Sequence, residues 1–184
     1  MSSTVRTLTP DQWPAFEDLF GKHGASNGCW CMYWRIGANY HKRPREENKA
    51  EFCTLVKSGP HTGLLAFDGD LAVGWCQLTP RDALPWLDHD WRLKRIDDVP
   101  VWSLSCFYIR PGYRRRGVTA ALIAVALQTA KSAGAPALEA YPLDESRTPG
   151  NAFTGYVSTF ERAGFKVVAQ HAPGRPIMRY DFRR

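Results

Sequence analysis

The sequence predicts an α/β or α+β fold, with helices interspersed among the strands of one mixed sheet. Three observations lead there. The chain has 184 residues, and at about 150 residues per domain that favours a single domain over residues 1–184. Short β-rich apolar runs alternate with stretches of helical character, the pattern of a mixed sheet carrying helices. Hydrophobic residues make up 44% and charged residues 23%, an ordinary globular balance. Seven Trp and nine Phe can fill a sizeable core. A disordered tail, a collagen-like fibre and a small disulfide scaffold are excluded.

Each element has a local reason. Residues 4–8 (TVRTL) read as a first strand. Thr9-Pro10-Asp11-Gln12 resembles a capping box with proline at the helix start, so a helix begins near Asp11 and runs to about Lys22. Gly21, Gly24 and Gly28 break it, and GASNGCWCMYWR reads as a loop. A second helix covers 44–57, with Phe52, Leu55 and Val56 inward. Strands at 64–67 and 71–78 flank Asp68-Gly69-Asp70, a hairpin turn signal. Residues 80–98 are irregular. The run VWSLSCFYI, 101–109, is rich in β-formers. After the turn at Pro111-Gly112, a helix of Ala, Leu, Ile and Val spans 119–133, and Gly134 suits its C-terminal cap. A short strand at 137–141, a helix at 154–163 closed by Gly164, and strands at 165–169 and 177–182 complete the order.

No apolar run approaches the ~20 residues that cross a bilayer, and Met1 to Arg6 lacks a secretory layout. The five cysteines (Cys29, Cys31, Cys53, Cys76, Cys106) are an odd number in a chain too large to need staples. They read as reduced thiols of a cytoplasmic protein. Cys29-x-Cys31 with His23 lacks the second ligand pair a structural zinc site uses, so no metal is expected. Basic residues exceed acidic ones by a net charge of +6, which favours an anionic partner: nucleic acid, a membrane surface or a phosphorylated cofactor. Arg110, Arg114, Arg115 and Arg116 cluster beside a glycine, and Arg175, Arg179, Arg183 and Arg184 lie near the C-terminus.

The informative segment is SCFYIRPGYRRRGVTAALIAVALQTAKSA, 105–133. A strand ends, a basic loop with glycine follows, and an apolar helix begins. Free amides at a helix start bind anions, glycine admits close backbone approach, and arginine adds charge and paired donors. The design suits a pyrophosphate, although it matches neither the GxxxxGK[ST] nor the GxGxxG loop. A solvated basic loop is the plainer alternative.

This segment resembles the acyl-coenzyme A binding motif Q/R-x-x-G-x-G/A of the GNAT (Gcn5-related N-acetyltransferase) superfamily, through Arg114-Arg115-Arg116-Gly117-Val118-Thr119. Phe107 to Tyr113 is similar to the family's approach strand, and Phe160-Glu161-Arg162-Ala163-Gly164-Phe165 to its Y-E-x-x-G-F ending. The resemblance implies a central mixed, mostly antiparallel twisted sheet of about six to seven strands, with about four helices, splayed between the fourth and fifth strands. It implies an N-acetyltransferase using acetyl-CoA as co-substrate, without a metal. Acetyl would pass directly to a primary amine of a small molecule or peptide in a ternary complex.

By the same resemblance, Phe107, Tyr108 and Ile109 pair with the pantetheine arm and supply the oxyanion donor. Arg114, Arg115, Arg116, Gly117, Val118, Thr119 and Ala120 hold the pyrophosphate. Thr119 stands where the family has Gly or Ala. Phe160 stands where many members place a proton-donating tyrosine, and a phenyl ring has no proton to give. Tyr156, one helical turn earlier, is the substitute candidate. For the base, Glu139 ranks first, because apolar neighbours would raise its pKa. Asp98 follows, then His89 and Tyr141, with an arginine-paired structural carboxylate as the other reading of Glu139. Trp30, Tyr33 and Trp34 suggest an aromatic acceptor wall, or equally a core or dimer contact. Two other functions stay open: an acyl-CoA-binding module with weak catalysis, and a basic nucleic-acid-binding domain. No nucleic-acid motif supports the latter, no membrane partner is expected, and a homodimer is compatible.

Overall fold

The computed structural model describes residues 3–59, 61–147 and 152–182. After β1 (Thr4–Thr7), Thr9 stays extended and Pro10 opens a 3₁₀ turn that runs into α1 (Trp13–Phe20). Pro14 falls in the first turn of α1, where its missing N–H removes no helix bond. The segment 24–35, expected as a loop, is irregular over 24–28 but then coils into a single turn, α2 (Tyr33–Ile36). It continues as a 3₁₀ stretch, Gly37–His41. α3 (Arg45–Ser58) follows Pro44. The hairpin of β2 (Gly63–Asp68) and β3 (Leu71–Pro80) turns at Gly69, whose φ is 59°. Three 3₁₀ turns occupy the irregular stretch, at Arg81–Ala83, Pro85–Asp88 and Trp91–Leu93.

β4 (Trp102–Ile109), α4 (Val118–Ser132) and β5 (Ala137–Ala140) come next, then α5 (Val157–Arg162), β6 (Lys166–Ala172) and β7 (Arg175–Asp181). α5 is shorter than its sequence suggests. Tyr156 keeps an extended backbone (φ −113°, ψ 147°) and bridges to Leu143, so the helix starts only at Val157.

The seven strands form one sheet in the order β1-β2-β3-β4-β5-β7-β6. Every pairing is antiparallel except β4 with β5. A parallel pair needs a crossover, and α4 supplies it. Both faces are covered. Leu64, Val73, Leu104, Phe107, Leu122, Ile123, Ala126 and Phe160 fill the core under α4 and α5. Phe16, Phe20, Trp30, Phe52 and Trp75 fill the core under α1 and α3. A third cluster gathers Trp34, Leu84, Leu87, Leu93, Tyr141 and Ile177 under the 3₁₀ turns. Each buried Phe or Leu contributes about 1.5–3 kcal/mol through removal from water. α4 sits close on β3 because Gly74 has no side chain: a Cβ there would lie 2.6 Å from Val118 Cγ1. Among the described residues no helix is long and apolar enough to cross a membrane.

Candidate active site

The site is built by a defect in β4. Cys106 pairs with Gln77 but Leu104 pairs with Leu78, so Ser105 is an extra residue on β4. Such a bulge bends its strand and interrupts pairing. The effect is visible on the other edge: β5 pairs only with Trp102, Ser103 and Leu104. Beyond the bulge β4 and β5 part. The bulge is clamped from the α1 side. Trp34 Nε1 donates to the Ser105 carbonyl at 2.9 Å, Ser105 Oγ donates to Gln77 Oε1 at 2.8 Å, and Gln77 Nε2 donates to the Cys31 carbonyl at 3.0 Å.

On the open edge the Phe107 N–H points away from β3 and donates to the Phe153 carbonyl at 2.6 Å. The Phe107 ring turns the other way, edge-on to Phe160 at 6.0 Å. Phe160, in the position where the family resemblance expects a tyrosine, is fully buried. Tyr156 is not one turn below it on a shared helical face but at the N-cap of α5, as its bridge to Leu143 requires.

At its far end β4 leads into the arginine loop. Gly117 caps α4 with φ 80°, and the first helix amide to find an intrahelical carbonyl is Ala121, bonded to Gly117 at 3.0 Å. The amides of Val118, Thr119 and Ala120 therefore lack acceptors within the helix and carry the positive end of its dipole. A Cβ on Gly117 would meet nothing within 4 Å, so the glycine is needed for its left-handed backbone and leaves room for a ligand. Arg114, Arg115 and Arg116 are exposed around it, with Arg116 over the Tyr113 ring at 5.4 Å. Arg110 stands apart from this cluster. It is bound to Asp18 of α1 at 2.6 Å and to the Ala72 carbonyl at 2.9 Å.

The candidate bases lie elsewhere. Glu139, paired with Ser103 of β4, is 2% exposed and bound on both oxygens. Arg179 Nη2 donates to Oε1 at 2.6 Å, Arg81 Nη1 to Oε2 at 3.3 Å and Tyr141 Oη to Oε2 at 3.1 Å. Arg179 also holds Asp97 through two bonds, at 2.8 and 3.0 Å, and keeps that carboxyl below the usual carboxylate range. Burial and the nearby Glu139 push the Tyr141 phenol up. This cluster closes the paired end of β4 and β5. Asp98 is exposed on the chain before β4. Trp102 to Phe107 alone spans about 17 Å at ~3.3 Å per residue, so Asp98 and the Phe107 amide sit at opposite ends of the strand. His89 is stacked on Trp86 at 4.3 Å, in the 3₁₀ turns.

The three aromatic candidates separate. Trp30 is core, stacked against Phe20 at 5.5 Å and Trp13 at 6.3 Å. Trp34 is buried as the bulge clamp. Tyr33 is half-buried and meets Phe153 edge-on at 6.5 Å, beside the open edge of β4. All five thiols are free. Burial and the neighbouring Cys106 push the Cys29 thiol up to about 11, and burial also raises Cys31, so both stay protonated. Among the described residues no group of three or more His, Cys, Asp or Glu is placed to hold a metal ion.

Sequence reasoning missed Phe153, Thr154 and the role of Arg175 in β7. Arg175 is 8% exposed, and its Nη1 donates to Thr154 Oγ1 at 3.0 Å. Its only sequence signal is membership of a basic stretch.

A sheet opened by a bulged strand, with a crossover helix presenting free amides at the mouth of the opening, is the acyltransferase fold of the GNAT type. The chain belongs to the acetyltransferase (GNAT) family, whose sequence profile matches residues 22–154. Solved structures share the fold at low identity. One is the PaiA N-acetyltransferase from Thermoplasma acidophilum in complex with coenzyme A. It is 16% identical over 99% of this chain and 100% of that one, with a TM-score of 0.58. A Drosophila melanogaster polyamine N-acetyltransferase that forms N-acetylagmatine is 11% identical over 98% and 100%, with a TM-score of 0.62. Salmonella typhimurium yncA, a putative acetyltransferase with its cofactor acetyl-CoA, is 14% identical over 100% of this chain and 96% of that one, with a TM-score of 0.57. No curated protein matches the chain.

Proposed function

We propose that residues 1–184 form one acyltransferase domain that moves acetyl from acetyl-CoA to an amine in a ternary complex. The observation that carries this is the Phe107 amide on the unpaired edge of β4, next to the free amides of α4. The residues fit the co-substrate. Gly117 leaves a space that a side chain would fill, three helix amides and Arg114 to Arg116 suit a pyrophosphate, and the open edge from Phe107 to Ile109 offers strand-like donors. The complexes of the Thermoplasma protein with coenzyme A and of the Salmonella protein with acetyl-CoA support the same reading. When bound, the thioester supplies the acyl group.

The chain's own part is positioning and charge stabilisation. The Phe107 N–H holds the carbonyl oxygen as negative charge develops there, an oxyanion-hole role. It must first release the Phe153 carbonyl. Tyr156, at the start of α5, is assigned the proton for the departing sulfur in place of Phe160. Glu139 is assigned to positioning: with both oxygens on arginines, it holds β4 against β5 and leaves proton removal to the amine's own equilibrium with water.

Calorimetric and thermal-shift titration with acetyl-CoA tests the reading. A ligand at about 100 times its Kd adds roughly 2.7 kcal/mol. Stabilisation that disappears in Gly117→Trp, with thiol release on adding amines, is the expected result. No binding of acetyl-CoA would end the proposal. Binding without thiol release from any amine would favour the second reading, a CoA-binding module that lacks the acid at Phe160.

A further inference from the structure

Arg175 is a buried cation, 8% exposed. Among the described residues no carboxylate comes within ion-pairing distance, and its Nε has no hydrogen-bond partner. Among the described residues its hydrogen bond runs from Nη1 to a neutral hydroxyl, Thr154 Oγ1, at 3.0 Å. Its ionisable surroundings are Arg92, Asp90 and Tyr33. Asp90 is already taken by Arg92, at 2.8 Å to Nε and 2.7 Å to Nη2. Asp90 therefore acts on Arg175 only at a distance, offset by the Arg92 it is bound to. Burial, and secondarily Arg92, lower its pKa to about 10. Burying an arginine this way is costly unless something pairs with it.

Its place relative to the open strand edge is fixed by two consecutive residues. The Phe153 carbonyl satisfies the Phe107 N–H and the Thr154 hydroxyl satisfies Arg175. Adjacent Cα atoms are about 3.8 Å apart, so the two donors stand on the order of 10 Å from each other. One small molecule reaches both. The Phe153 ring, 49% exposed, lies against Tyr33 and Trp34 at 6.5 Å from each.

We propose that Arg175 anchors a carboxylate on the amine acceptor, so that the substrate class is a compact amino acid rather than a polyamine. This rests on the acetyl-transfer reading above. The planar guanidinium matches a carboxylate through two parallel N–H bonds, and its free Nε is one of the donors such a pair uses. Thr154 gives up its place on Nη1 when the carboxylate binds. A cationic polyamine meets repulsion here, unlike the acceptor of the Drosophila neighbour, which forms N-acetylagmatine.

The test uses the whole chain and matched acceptors: phenylalanine against phenylalaninamide, 4-aminobutyrate against butylamine, and agmatine. Thiol release from acetyl-CoA gives kcat/KM for each, and calorimetry gives acetyl-CoA affinity separately. The expected result is at least a tenfold preference for the carboxylate in one or both pairs, with agmatine poorest. Arg175→Gln should bring that preference to about one, mainly through KM. Arg175→Lys should restore part of it, and both variants should bind acetyl-CoA as the wild type does. Acetyl-CoA binding with no carboxylate preference, or with agmatine best, overturns the anchor and leaves the transferase intact. Loss of acetyl-CoA affinity in Arg175→Gln also overturns it, by moving the arginine to the donor side. If no acceptor in the panel reacts, calorimetry of N-acetylphenylalanine against its amide on the CoA-saturated protein decides. Equal or absent binding of the two overturns the proposal. No acetyl-CoA binding at all defeats the transferase reading, and the anchor with it.

Discussion

β4 meets β5 along three residues and parts from it along the rest, and the two stretches treat buried charge in opposite ways. At the closed end, Arg81 and Arg179 are buried against Glu139, with Asp88 and Asp97 completing the pairs. Every arginine there has a carboxylate. At the open end, Arg175 is buried about as deeply as Arg179, and among the described residues no carboxylate lies within ion-pairing distance of it. One sheet contains both arrangements. Compensated charge holds β4 and β5 together at one end, and on the anchor proposal the arginine at the other end awaits a ligand carboxylate.

The largest expected effect falls on the closed end. Glu139→Ala leaves two arginines buried without their shared partner and should cost about 3–5 kcal/mol of stability, read as a lower urea midpoint with an unchanged slope. If activity per folded molecule fell while the midpoint stayed, the structural role assigned to Glu139 would be wrong. Gly117→Trp comes next. A left-handed backbone costs an ordinary residue about 1–2 kcal/mol, and the side chain enters the space beside the helix amides. Acetyl-CoA affinity should fall by at least tenfold, measured by calorimetry. Arg175→Met sharpens the contrast in the other direction. Removing an uncompensated cation should leave the protein as stable as before or up to about 1 kcal/mol more stable, at the expense of function. A stability loss of several kcal/mol would mean that Arg175 has a structural partner.

The smallest effect concerns pH. Arg179 holds the folded-state pKa of Asp97 below its unfolded value of about 3.9. Its contribution is therefore fully present above that pH and disappears as pH falls through the lower folded value. Asp97→Asn should lower stability slightly at pH 7, change little at low pH where Asp97 is protonated anyway, and so flatten the acid limb of the stability curve below about pH 4. An unchanged limb would show that Asp97, whose side chain is exposed, is not coupled to folding.

The order of strands and helices was legible in the sequence because those elements depend on neighbours. The hairpin at Gly69, the caps at Gly117 and Gly134, and the apolar helix between them are all local signals. The arginine-glycine loop that opens α4 was legible for the same reason. The site's other half was not. Glu139 reads as a candidate base because its immediate neighbours are apolar, while the arginines that bind it come from 58 and 40 residues away. Trp30 and Trp34 read as one aromatic wall, yet positive φ angles at Trp30 (47°) and Cys31 (60°) turn the chain between them and send the rings into different cores. Arg175 carries no local mark, because what distinguishes it is a missing carboxylate, which only three-dimensional surroundings define.

The bulge at Ser105 makes the opening a matter of parity. Leu104 and Phe107 face the same core although an odd number of positions separates them, because one residue in between is not counted by the partner strand. Deleting the extra residue would leave Leu104 and Phe107 two positions apart, so both would keep their face while strict alternation returned and β4 could continue along β5. Substitutions that keep the length would not. The active cleft is thus inherited as a residue count, and drift in composition can remodel its lining without ever closing it.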